Sequence, residues 1–188
     1  MRIMPLPNHI AYGSCCTECF DQSNAPAGHA RQELLCKDAC YRIGKCRTHG
    51  ITPQTLQLLN EFSCLAFDLI RGMDGTARRP LADAYWQRAD PLECTGAGAD
   101  SFAAFNRRIS AFLDHYPQLE DGSLLFGHGI WIGLLAWRLL GFRAETSADM
   151  SAFRRFQSGL PMPNTAVWQL SGNTRDDLRL RFLSPKTA

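Results

Sequence analysis

The chain has 188 residues, enough for one domain with a genuine hydrophobic core. With 45% hydrophobic and 20% charged residues, its composition is that of an ordinary globular protein. A formal charge of +2 makes no case for nucleic acid or an acidic membrane surface as a partner, although a local anion site needs only a few well-placed groups.

The opening MRIMPLPNHIAYG does not read as a secretory signal, because two prolines interrupt it and no apolar core of the right length follows. A cytoplasmic location is the expectation. Six of the eight cysteines fall before residue 50, which without a signal argues against a disulfide scaffold. Cys16-x2-Cys19 and Cys36-x3-Cys40 approximate a four-thiolate zinc spacing, with Cys46 and His49 as spare ligands. The adjacency of Cys15 and Cys16 and the three-residue spacer are atypical for such a knuckle. The main reading therefore has no metal and no cofactor, and a zinc-binding interaction module stays open as an alternative. Residues 1–55 read as an irregular Cys-rich segment and residues 56–188 as an α/β domain.

From Thr55 onward the periodic signals are clearer. Leu56, Leu59 and Phe62 fall on a helical spacing leading into Glu61. Pro80 to Trp86 reads as a helix with Pro80 in its first turn, followed by a loop over residues 88–100 rich in Gly. Phe102, Phe105, Ile109, Phe112 and Tyr116 recur at steps of three and four, which predicts a helix from Ser101 to Tyr116 with one buried face. Ser123 to Phe126 reads as a buried strand, and Ile130 to Leu140 as a helix packed between layers, stopped by Gly141. The most apolar stretch, Leu124 to Leu140, is shorter than the roughly 20 residues a spanning helix needs. TAVWQLS and LRLRFLS alternate in period two around SGNTRDD, the pattern of an antiparallel hairpin. The order of elements predicts a three-layer α/β sandwich with a mostly parallel mixed sheet and an incomplete or irregular N-terminal part.

Gly127-His128-Gly129 lies between the predicted strand and the apolar helix. In open α/β sheets ligands bind beyond the carboxyl ends of strands, and a helix N-terminus there favours phosphate. Glycines permit close approach of a ligand to the backbone, and His128 adds a titratable donor. A structural histidine satisfied by a nearby carbonyl is the competing reading.

Taken with its surroundings, this segment resembles the C-terminal part of the histidine phosphatase (phosphoglycerate mutase-like) superfamily. The matching residues are Leu59-Asn60-Glu61-Phe62, Asp90-Pro91, Ser101-Phe102 with Phe105 and Arg108, Gly127-His128-Gly129, Leu140-Gly141, and Pro163-Asn164-Thr165-Ala166, in the family's order. The resemblance implies phosphomonoester hydrolysis or phosphoryl transfer on a small phosphorylated substrate. It gives His128 as the second catalytic histidine, Glu61 as the proton donor, and Gly127, His128, Gly129 and Asn164 around the phosphate. Arg78, Arg79 and Arg88 could meet a substrate anion, and Arg108 could brace the sheet. The family's Arg-His-Gly nucleophile motif occurs nowhere in the chain. His9 lies near its usual position, in the context Pro7-Asn8-His9-Ile10. A non-catalytic phosphate-ester-binding relative is therefore the alternative to an enzyme.

Overall fold

The computed structural model describes residues 9–15, 56–119, 123–162 and 166–183. One four-stranded sheet is built from β1 (His9–Cys15), β2 (Leu124–His128), β3 (Val167–Ser171) and β4 (Arg179–Leu183), in the order β2-β1-β3-β4. β1 runs parallel to β2, with Ala11 opposite Leu124 and Cys15 opposite His128. β3 is antiparallel to both β1 and β4. The sheet is mixed, as expected. Only the β1–β2 pairing is parallel among the described residues, so the mostly parallel character is not found there. The reason is the C-terminal hairpin, whose two strands bring both antiparallel pairings.

The N-terminal segment thus contributes an interior strand. β1 is described from His9, and Pro5 and Pro7 lie outside the described residues.

Helix α1 is a single short turn, Phe67–Ile70, preceded by a 3-10 turn at Gln57–Leu59. α2 spans Gly75–Arg88 and begins five residues before Pro80, so Pro80 lies inside it and not in its first turn. The Asp74 side chain starts this helix by accepting a 2.8 Å bond from the Ala77 amide. Pro80 and Thr76 are both exposed, so water can satisfy the carbonyl that proline leaves without a donor.

α3 (Phe102–His115) follows the predicted helix closely, with the Ser101 hydroxyl accepting from the Ala104 amide at 3.2 Å. Phe102, Phe105, Ile109 and Phe112 are fully buried along its inner face. α4 (Gly129–Leu139) is apolar up to Arg138 in its last turn because its middle is enclosed; Trp131, Ile132, Leu134 and Leu135 are inaccessible to solvent. α5 (Ser147–Ser158) was not anticipated from its periodicity. Its start is a reciprocal cap, in which the Asp149 amide donates to the Thr146 hydroxyl and the Thr146 amide to the Asp149 carboxylate.

Aromatic packing joins these elements. Phe62 stacks on Phe105 with centroids 4.8 Å apart, and Phe112 meets Trp131 edge to face at 4.8 Å. Among the described residues no helix is long and apolar enough to cross a membrane.

Candidate active site

No turn separates β2 from α4. Gly127 and His128 complete the strand and Gly129 opens the helix, so the three residues belong to the two elements and do not lie between them. His128 is the residue that precedes the helix, with extended dihedrals, and its side chain does not cap it. Its imidazole has no hydrogen-bond partner among the described residues, and burial lowers its pKa to about 4. His128 is therefore neutral near pH 7 in the free protein.

The cap comes from Glu61. One carboxylate oxygen accepts from the Phe62 amide at 2.8 Å and the Trp131 amide at 3.1 Å, and the other accepts from the Ile130 amide at 3.2 Å. A carboxylate at a helix N-terminus meets unpaired N–H groups and the positive end of the helix dipole. Glu61 is only partly covered as a residue, yet its carboxyl group lies inside. Desolvation raises its pKa to about 7 against the opposing pull of these three amides and of Arg108. Glu61 and His128 are thus brought to the same helix start. The amides expected to hold an oxyanion are instead taken, in part, by the protein's own carboxylate.

The segment around Glu61 has little secondary structure and is held by side chains. The Thr95 hydroxyl accepts from the Ala66 amide at 2.8 Å and donates to the Cys64 carbonyl at 2.9 Å. The Trp131 indole donates to the Leu58 carbonyl at 2.7 Å.

Other candidates fall elsewhere. His9 stands at the amino end of β1, whereas His128 is level with Cys15 at the carboxyl end. Six residues at about 3.3 Å each separate the two ends by about 20 Å, so β1 does not bring His9 to this site. Arg88 is paired with Glu93 at 2.9 Å, and Arg78 donates to the Met73 carbonyl, so each has a local role. Arg79 is exposed. Arg108 does not brace the sheet; it reaches the Glu61 segment, a placement with no local periodicity to announce it. Asn164 and the cysteines from Cys16 to Cys46 lie outside the described residues. Among the described residues no cluster of His, Cys, Asp or Glu could hold a metal ion, and Cys64 and Cys94 are free.

The fold resembles that of the alpha-ribazole phosphatase from Shigella flexneri, with a TM-score of 0.55 at 13% identity over 94% of this chain and 96% of that one. A mycobacterial glucosyl-3-phosphoglycerate phosphatase superposes with a TM-score of 0.49 at 16% identity, covering 94% of this chain and 96% of its own. At such identities the likeness concerns the fold alone. No curated protein sequence matches the chain. A sequence model of the histidine phosphatase superfamily (branch 1) matches residues 43–170, reaching further upstream than Leu59, where the motif resemblance begins. With about two-thirds of its length matched, and with strand, helix and acid assembled as above, the chain belongs to the histidine phosphatase superfamily.

Proposed function

We propose that this chain binds a small phosphate monoester at the carboxyl ends of β1 and β2 and acts on it by hydrolysis or phosphoryl transfer. His128 faces the phosphoryl group, the backbone at Gly127 and Gly129 and the side chain of Asn164 line the phosphate, and Glu61 gives its proton to the leaving oxygen as the ester P–O bond breaks; the phosphoryl group passes finally to water in hydrolysis or to an acceptor hydroxyl in transfer. The observation that carries the reading is the Glu61 carboxyl group, held against the first turn of α4 immediately after His128, with a pKa raised to about 7. A general acid works best when its pKa lies near the working pH, where it is protonated often enough and gives the proton up readily. An ordinary surface glutamate would be ionised and could not donate.

The proposal includes a cytoplasmic location, no resident cofactor or metal, and no nucleic-acid or membrane partner. Strand β1 belongs with the α/β domain in this reading, and the rest of residues 1–55 remains a separate Cys-rich segment.

The second reading is a relative that binds phosphate esters without turnover, favoured by the absence of Arg-His-Gly and by the distance of His9 from His128. Turnover of p-nitrophenyl phosphate separates the two. The first reading expects hydrolysis by the full chain, lost in His128→Ala and strongly reduced in Glu61→Gln. Stabilisation by inorganic phosphate in thermal unfolding, with no hydrolysis, supports the second. Neither hydrolysis nor stabilisation would overturn both.

A further inference from the structure

Glu61 sits in a stretch whose peptide groups are not fixed by a helix or a sheet ladder. Something else must hold its backbone if its carboxylate is to meet two amides on a distant helix. The geometry points to Arg108, on α3, as a positioning residue that acts with Asp100 to fix the Glu61 segment against the first turn of α4.

One Arg108 terminal nitrogen donates both to the Glu61 carbonyl at 3.1 Å and to the Asp100 carboxylate at 3.0 Å, while the other donates to the second Asp100 oxygen at 3.2 Å. Asp100 in turn accepts from the Ser63 amide at 3.2 Å, and its own amide donates to the Ser63 carbonyl at 2.8 Å. Residues 61 and 63 are therefore tied to the same ion pair, and the residue between them, Phe62, is stacked on Phe105. The guanidinium carbon lies 5.2 Å from the centre of that Phe105 ring. One planar cation thus spans carboxylate, carbonyl and aromatic face, which a lysine ammonium could not reproduce.

Stability alone is a poor account of this arrangement. The Arg108 and Asp100 side chains are 18% and 25% exposed, so both charges are largely withdrawn from water. Apolar residues of similar volume often do as well in such places. The Arg108 Nε is moreover buried with no hydrogen-bond partner among the described residues. What the cation does that an apolar side chain would not is reach the peptide of Glu61 and place a positive charge beside its carboxylate.

Arg108 from α3 lowers the Glu61 pKa, Asp100 is paired with that arginine, Cys64 on the same segment feels the Glu61 charge, and His128 ends β2 two residues before Ile130. The first turn of α4 presents amides. Arg108 is the cation of this set near pH 7, and its loss both frees the Glu61 peptide and weakens the ionised form.

The functional side of this inference rests on the reading of Glu61 as proton donor, but the test does not need turnover. Glu61 is followed by carboxyl carbon NMR in the full chain, assigned with Glu61→Gln, and the Ile130 and Trp131 amides are followed in the same titration. The native chain should show all three signals sharing a midpoint near 7. Arg108→Met should raise the Glu61 midpoint by about half a unit or more and uncouple the two amides from it. Arg108→Lys should keep the midpoint closer to native while reducing the amide response, and Asp100→Asn should reduce that response as well. A folded Arg108→Met with native midpoint and native amide shifts overturns the inference. If that variant does not fold, Arg108→Lys and Asp100→Asn decide, and native amide responses in both overturn it. A merely structural role would lower the unfolding temperature without moving the titration. Lack of phosphatase activity leaves this result standing, and an unmoved Glu61 leaves the proposed function standing.

Discussion

Glu61 and Trp131 are seventy residues apart in sequence, yet the Glu61 Oε1 accepts the Trp131 amide proton at 3.1 Å. The contact fills a helix start with an acid whose proton affinity burial has raised, beside a histidine whose proton affinity burial has lowered. The two perturbations have opposite signs and overlapping ranges, and this has a measurable result. Between pH 4.5 and about 7, Glu61 keeps its proton when folded and loses it when unfolded, so rising pH removes stability. Between pH 4 and 6.5, His128 is neutral when folded and protonated when unfolded, so rising pH adds stability. Each slope has a ceiling of about 1.4 kcal/mol per pH unit, lowered by the water that reaches partly exposed groups.

From pH 4.5 to 6.5 the two slopes therefore oppose each other. Relative to the native chain, Glu61→Gln should gain stability as pH rises through this window, and His128→Asn should lose it. Urea unfolding at three pH values across the window checks both. Parallel curves for the native chain and the two variants would show that neither group is perturbed.

Anion binding should carry the same signature. Sulfate keeps its two charges over this range and serves as a phosphate-shaped probe. Its affinity should rise as pH falls from 8 to 6, because Glu61 near 7 loses a negative charge beside the site. Affinity should go on rising toward pH 5, because a bound dianion raises the His128 pKa from about 4 and draws a proton onto the imidazole. Each step is tenfold per pH unit at most, since one proton is linked to one anion. Glu61→Gln should remove the first step and His128→Ala the second, as read by calorimetric titration with sulfate. A pH-independent affinity in the native chain would place the anion away from both groups.

Much of this was legible in the sequence, for reasons that differ by element. The α3 stripe of Phe102, Phe105, Ile109 and Phe112 repeats with helical period because one face is buried. The C-terminal hairpin alternates because each strand has two unlike faces. α5 carries a weak sequence signal because its burial rests mainly on Met150 and Phe153, and its start is marked by a Thr146–Asp149 cap whose acid is shorter than the usual Glu. The start of α2 is not legible because Pro80 fits a first turn equally well, whereas Asp74 opens the helix. The site divides in the same way. Local motifs single out Glu61 and His128, but their meeting at one helix end is a tertiary fact. The Arg108 contact with the Glu61 carbonyl spans 47 residues and leaves no local trace.

The edge-to-face pair of Phe112 and Trp131 joins α3 to the helix start that Glu61 caps. Both rings are fully buried, so Phe112→Ala leaves a cavity beside Trp131 and should cost about 3–5 kcal/mol. Phe112→Leu keeps most of the volume and should cost less, about 1–2 kcal/mol. Denaturant midpoints of the two variants measure the difference. Equal losses would mean that the aromatic contact, not the filled volume, dominates.

A last prediction separates backbone strain from steric collision, using two glycines in the left-handed half of conformational space. Gly172, after β3, has φ +141°, and a Cβ there would lie 2.8 Å from the Asp177 carbonyl oxygen and 2.9 Å from the Leu178 Cα. Those atoms are backbone, and they cannot withdraw easily. The Asp177 carboxylate is fastened to the Thr174 amide at 2.6 Å and the Asn173 amide at 3.0 Å, and the Gly172 carbonyl itself accepts the Tyr116 hydroxyl at 2.9 Å. Gly141, after α4, has φ +85° with nothing within 4 Å of a Cβ. Gly141→Ala should therefore cost only the left-handed conformation, about 1 kcal/mol. Gly172→Ala adds a collision with fixed backbone and should cost about 2–4 kcal/mol in all. Thermal unfolding of the two variants gives the comparison. If Gly172→Ala is no worse than Gly141→Ala, the Asp177 turn is free to move and the hairpin end is not the rigid frame that the Tyr116 bond implies.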